Sequence, residues 1–179
     1  MFKVFQASSP EVEVDGRTVL AVTSGILVAD VSRELLESCN LPSIEPTGWY
    51  SQQAWLDTYR QINDHLGADT LYSIGRRIPY SAQFPDEQMF DVASALESID
   101  VAYHMAHRNG EIGHYKYVEV GLDHYEIHCD NPYANEFDLG IIISLVERFR
   151  GRLQFDVNVK QPALNPEEDN ACIIEIVRV

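Results

Sequence analysis

Between Asp91 and Val179 the apolar residues switch repeatedly between helical and strand spacing. FDVASALESIDVAYHMAHRNG sets Val92, Ala95, Leu96, Ile99, Ala102, Tyr103 and Ala106 three and four apart, one stripe of a helix that ends at Asn109-Gly110. GHYKYVEVGLDHYEIHCDN then alternates on both sides of Gly121-Leu122-Asp123, as a hairpin with one covered face does. NEFDLGIIISLVERFRG returns to helical spacing; Asn135 and Asp138 resemble a capping box, and Gly151 is placed to stop it. LQFDVNV and NACIIEIVRV, rich in Val and Ile and separated by a turn-rich linker, supply two more strands. The order helix, hairpin, helix, hairpin predicts an α+β fold, with helices packed on a four-stranded antiparallel sheet.

The first half is patterned differently. EVEVDGRTVLAV alternates around Asp15-Gly16, which predicts a hairpin. Ser24 is placed to cap a helix carrying Leu27, Val28, Val31 and Leu35 and ending near Asn40, before Pro42. PSIEPTGWY reads as a loop. A further helix from Ser51 presents Trp55, Tyr59, Ile62 and Leu66 on one face, with Gly67 as its left-handed stop. ADTLYSIGRRI is a shorter helix running up to Pro79, and residues 79–90 read as a connector.

Composition narrows the classes. A chain of 179 residues with 45% apolar content can bury a substantial core as a single domain over residues 1–179. Its formal net charge of −15 repels phosphate backbones and anionic membranes, so neither nucleic acid nor a membrane surface is expected as a partner. No apolar run is long enough to span a bilayer, and the first residues lack a signal-peptide pattern; the expected compartment is the cytoplasm. Cys39, Cys129 and Cys172 lie far apart without CxxC spacing and read as buried free thiols.

Candidate chemistry is sparse. Glu97, Asp100, His104 and His107, at offsets of three, seven and ten, fall on one helix side and offer a set of metal ligands. Charged residues on a solvated face, with acids early and histidines late, explain the same pattern without a metal. His124 and His128 share one face of their strand and Cys129 the other, with Tyr125 and Ile127. A zinc site from Cys129, Cys172 and a histidine is a further option. No GxSxG, P-loop or GxGxxG motif occurs, so catalysis has no positive support. Trp49, Tyr50, Trp55, Tyr59, Tyr72, Tyr80, Phe84 and Phe90 cluster in the central third, as core packing or as the lining of an apolar pocket.

At this level the chain resembles the superfamily that joins heme–nitric oxide binding domains, 4-vinyl reductase domains and the transport-protein-particle subunits of Golgi traffic. The likeness covers roughly residues 50–179 and rests on HLGADTLYSIG, on GLDHYEIHCDNPYANEFDLGIIISLVERF and on the closing NACIIEI. Residues 1–48 match no branch well. Heme-binding members carry a histidine on the helix before the first hairpin, near His104, and a Tyr-x-Ser-x-Arg motif on the next strand. Here that stretch is Tyr115-Lys116-Tyr117-Val118-Glu119, with Tyr117 and Glu119 in place of serine and arginine. A carboxylate in place of the arginine clamp sets like charges together, so heme is expected to be disfavoured. The extra cysteines of 4-vinyl reductase domains, near Cys129 and Cys172, are missing here.

The resemblance implies a sensory, non-catalytic ligand-binding protein, nearest to 4-vinyl reductase domains and homodimeric through helical surfaces. Its ligand is expected to be an apolar small molecule in a pocket of Trp55, Tyr59, Tyr72, Tyr103, Tyr115 and Cys129, with no cofactor. Two alternatives stand beside it: metal or heme binding through His104 and His107, and an interaction module whose cavity its own side chains fill.

Overall fold

The computed structural model describes residues 2–23, 36–41 and 43–179. The Asp15-Gly16 pair does not make a hairpin turn. Glu13–Asp15 is a short strand (β1), and helix α1 (Gly16–Thr23) starts directly after it. Asp15 is the reason: its carboxylate accepts hydrogen bonds from the backbone N–H of Arg17 at 2.6 Å and Thr18 at 3.4 Å, and from the Thr18 hydroxyl at 3.2 Å. Those first-turn donors have no partner within a helix, so an aspartate before them favours a helix start as readily as a turn. Gly16 is needed for a close approach, since a Cβ there would lie 2.0 Å from the Glu45 carbonyl oxygen. We expect Asp15→Ala to cost about 1 kcal/mol in a denaturation titration, and an unchanged midpoint would show that the cap is dispensable.

The helix expected from Ser24 lies mostly outside the described residues. Its end is visible: residues 36–38 are helical, and Asn40 follows with φ 62°. Strand β2 (Trp49–Ser51) leads into helix α2 (Gln52–Leu66), whose N-terminus the Ser51 hydroxyl caps by accepting from Ala54 N–H. Trp55, Tyr59 and Ile62 are completely buried, whereas Leu66 is half exposed. Gly67 stops the helix with φ 85° and ψ 165°, a positive φ but not the left-handed helical conformation expected. Helix α3 (Ala68–Gly75) follows, and the expected connector contains a short helix α4 (Ile78–Ser81) that takes Pro79 into its first turn.

Helix α5 (Val92–Met105) is set by a capping box between Asp91 and Ser94 and buries the expected stripe. It ends earlier than its pattern suggests. His107–Arg108 form strand β3, which pairs with β1, so β2, β1 and β3 make a small antiparallel sheet that no sequence signal announced. Strands β4 (His114–Gly121) and β5 (His124–Asp130) form the expected hairpin, turning at Asp123 with φ 50°.

Helix α6 (Asn135–Phe149) follows without the expected capping box: Ala134 is the cap residue, and no side chain bonds to the first turn. Asp138 is turned inward instead and is fully buried. Gly151 does close the helix, with φ 57°. Strands β6 (Phe155–Gln161) and β7 (Cys172–Arg178) complete a four-stranded antiparallel sheet in the order β4-β5-β7-β6. Its covered face carries Tyr115, Tyr125, Ile127, Cys129, Cys172, Ile174 and Ile176, and one hydrophobic core runs from Val4 to Ile176. Among the described residues, no helix is long and apolar enough to cross a membrane.

Candidate functional site

The helical first half meets the α5–α6 half around a cavity. Helix α2 contributes Trp55 and Tyr59, α5 contributes Ile99, Ala102 and Tyr103, and α6 contributes Phe137 and Ile141. Thr18, Ile78, Phe84, Ala106, His107, Tyr115 and Tyr133 complete most of the wall. The cavity volume is about 50 Å³. At roughly 10–15 Å³ per water-sized body, that is room for a few heavy atoms.

Aromatic rings build this wall edge to face. Tyr59 meets Trp55, Phe137 and Tyr133 at centroid distances of 4.9, 5.1 and 5.5 Å, and Tyr103 meets Tyr115 at 5.1 Å. Such contacts fix ring orientation as well as burying area. Burial raises the phenols of Tyr59, Tyr103, Tyr115 and Tyr133 above their ordinary range, so all four keep their protons at neutral pH.

Three of these hydroxyls are spoken for. Tyr103 donates to the Ile112 carbonyl at 2.5 Å, Tyr115 to Asp138 at 2.5 Å, and Tyr133 lies 2.8 Å from His107 Nε2. Among the described residues, the Tyr59 hydroxyl and the Trp55 indole N–H are buried without a partner, as are both polar atoms of the Gln52 side-chain amide. The Gln52 side chain is close enough to offset part of the upward push on Tyr103 and Tyr133, but its amide makes no well-formed hydrogen bond among the described residues. Leaving a buried polar group unmatched costs about 1–3 kcal/mol.

His107 is the one imidazole on the cavity wall. Burial lowers its pKa to about 4, so it is neutral at pH 7. Its Nδ1 lies 2.8 Å from the Tyr103 carbonyl oxygen, which can only accept. The proton therefore sits on Nδ1, and the Nε2 lone pair accepts from Tyr133. Tyr133 is held in turn: its N–H donates to Asn131, and its carbonyl accepts from the buried Asn170.

Behind the cavity, Asp138 accepts from Tyr115 and, at 3.2 Å, from Asn131. Burial pushes its pKa up to about 7 against those bonds. Cys129 and Cys172 face each other across β5 and β7, with Asp138 as the third group of the cluster. No histidine joins them, so the zinc set with a histidine is not what the fold assembles. Cys39 is also a buried free thiol.

Of the expected pocket residues, Trp55, Tyr59, Tyr103 and Tyr115 line the cavity, and Tyr72 and Cys129 do not. Tyr72 lies on α3 beside Arg76, and Cys129 is directed to Cys172. Of the expected metal set, Asp100 and His104 stay together near the surface and Glu97 is exposed. His107 leaves them, because the helix stops at Met105 and pairing with Val14 turns the next residues inward. Tyr133, Phe137 and Gln52 had no legible signal. Tyr133 lies in an aperiodic loop, and Gln52 looked like one more polar residue at a helix start.

No family model and no curated protein matches the sequence. The architecture does match solved structures. A triple mutant of an H-NOX protein from S. oneidensis in the Fe(II) ligation state aligns with a TM-score of 0.69 at 11% identity, over 92% of this chain and 96% of that one. An oxygen complex of an oxygen-binding H-NOX domain related to soluble guanylate cyclases aligns at 0.65 and 15% identity, over 91% and 92%. This is the H-NOX fold. A third chain, from work on heme distortion in the H-NOX family, aligns at 0.66 and 13% identity, over 91% and 92%.

The last match corrects the expectation that heme is disfavoured. Proteins of the H-NOX fold are studied with Fe(II) and heme, at a likeness spanning nearly the whole chain, including residues before 50. Tyr117 and Glu119 do not bear on the cavity. Glu119 is exposed on β4, and neither residue lines the cavity; the strand's contribution is Tyr115. A solvated carboxylate outside the cavity does not decide what enters it.

Proposed function

We propose that this chain is a sensory domain that acts by binding and not by catalysis, and that its ligand is an apolar small molecule held in the cavity between α2 and α5. The observation that carries this reading is a largely apolar, aromatic wall, two of whose residues, Tyr59 and Trp55, hold buried donors without a partner among the described residues. Buried donors beside an apolar cavity suit a ligand that is apolar in bulk and accepts a hydrogen bond at one end. An oxygen complex among proteins of this fold supports a ligand of that size.

Heme is a second reading, favoured by His107. Its neutral imidazole donates Nδ1–H to a backbone carbonyl, as oriented histidine ligands of metals do, and its Nε2 lone pair accepts only from the Tyr133 hydroxyl. The donor chemistry therefore fits an iron ligand at this one position, and bound heme would supply an iron able to take a diatomic gas. Tyr133 would have to release Nε2, and the rings around Tyr103 would have to part to make room.

Xenon, followed by its NMR shift, probes the first reading in the purified protein. Saturable uptake that Ala106→Leu abolishes is expected; no uptake by the unmodified chain would end it. Tyr59→Phe removes an unmatched hydroxyl and should raise stability by about 1 kcal/mol. Absorbance separates the readings: a Soret band that appears with hemin and vanishes in His107→Ala supports heme.

A further inference from the structure

Two histidines and an aspartate meet on the outer side of the molecule, where the last turns of α5 pass the start of β4. His104 follows Asp100 by one helical turn; its Nδ1 lies 2.8 Å from the Asp100 carbonyl oxygen and 3.5 Å from Asp100 Oδ2, so Nδ1 carries the proton in the neutral ring and Nε2 keeps the lone pair for a metal. His114, the first residue of β4, places Nδ1 3.6 Å from Asp100 Oδ1. The two imidazoles lie 5.1 Å apart and are tilted by 31°. One ligand atom from each of the three residues falls within 4.8 Å of the others.

The carboxylate between the rings is held in place. Asp100 Oδ1 accepts the backbone N–H of Tyr115 at 2.8 Å, which ties it to the strand as well as to its own helix. Both histidines are exposed, with side-chain accessibilities of 42% and 61%, so water can complete a coordination sphere.

We propose that Asp100, His104 and His114 form a surface site for a divalent transition metal of the zinc type. Two imidazoles with one carboxylate select such ions over magnesium and calcium, which prefer oxygen ligands alone. Three protein ligands with a position left for water is the composition of an open zinc site. A net charge of −15 raises the local concentration of any cation. The sequence hid this set because His114 lies ten residues beyond His104 and reaches it only through the turn back into β4.

A metal here clips α5 to β4. The inner faces of the same two elements carry Ile99, Tyr103 and Tyr115 into the cavity. Occupancy therefore braces one wall of the ligand site from outside. The site is separate from the buried cluster of Cys129, Asp138 and Cys172, which offers thiols.

Cobalt(II) and zinc(II) titrations of the chelator-treated full chain at pH 7.5 test the assignment. One equivalent of cobalt should bind with a nitrogen- and oxygen-type spectrum lacking a thiolate charge-transfer band. Zinc should compete with it and raise Tm. His104→Ala and His114→Ala should each weaken binding ~10-fold or more, and Glu97→Ala should leave it unchanged. Absence of binding, a thiolate band from the one bound equivalent, or affinity that both histidine variants retain would overturn the proposal. Both variants change exposed residues, and an unaltered circular dichroism spectrum shows that they still fold.

Discussion

Replacing Gly140 by alanine is expected to destabilise the protein by about 3 kcal/mol, the upper part of the usual range for overpacking. In a lone helix the same change would gain about 1 kcal/mol, because alanine is the better helix former. The sign reverses here because α3 and α6 cross at backbone contact. A Cβ on Gly140 would stand 2.3 Å from the Tyr72 carbonyl oxygen and 2.9 Å from the Arg76 nitrogen. Backbone cannot step aside as a flexible side chain can. The contact is reciprocal: a Cβ on Gly75 would lie 2.1 Å from the Phe137 carbonyl oxygen, and the Ser144 hydroxyl donates across the same crossing to the Arg76 carbonyl at 2.8 Å. Urea titration of Gly140→Ala and Gly75→Ala measures the effect. A midpoint equal to or above that of the unmodified chain would mean that the helices are free to move apart.

The second large effect is a pH dependence hidden by compensation. His107 has a folded-state pKa of about 4, below its unfolded value of about 6.5. Between those values the unfolded chain holds the extra proton, so this residue's contribution is complete above pH 6.5 and is lost as pH falls toward 4. The whole shift corresponds to about 3 kcal/mol. Both hydrogen bonds of His107 go to neutral groups, the Tyr103 carbonyl and the Tyr133 hydroxyl, so no anion holds a proton on the ring.

Asp138 acts in the opposite direction. Its folded pKa of about 7 lies above the ordinary carboxylate value, so between about pH 4 and 7 the folded state holds the proton and stability rises as pH falls. The unmodified chain should therefore show a shallow profile from pH 7 to 4. His107→Gln removes one of the two opposed contributions and should gain stability steadily over that interval. If the variant and the unmodified chain run parallel from pH 7 to 4, His107 is not buried in its neutral form.

The same two residues mark the limits of what the chain shows on its face. Asp138 reads in sequence as the capping-box partner of Asn135, and His107 as the tail of a charged helical stripe. Each reading follows local rules and fails for a non-local reason. Asp138 is drawn in by the Tyr115 hydroxyl, 23 residues away, and His107 by pairing of β3 with β1, 93 residues back at Val14. Asp15-Gly16 fails in the same way, because the flanking alternation suits a hairpin equally well until β1 finds β2 and β3 as partners.

Periodicity over long segments determined much of this protein: the α5 stripe, the β4–β5 hairpin, α6, the two closing strands and hence the four-stranded sheet. Each of those patterns extends over enough residues for burial of one face to outweigh any competing local choice. The aromatic residues that would face a cavity were also legible in part, since Trp55, Tyr59 and Tyr103 lie on the apolar sides of their helices. Tertiary structure alone decided which imidazole is dry and which are wet. It joined His104 to His114 across a turn, left Tyr59 and Trp55 without partners among the described residues, and brought Gly75 against Gly140. Those outcomes depend on which surfaces meet, and the meeting is set by the whole core, not by the residues beside them in the chain.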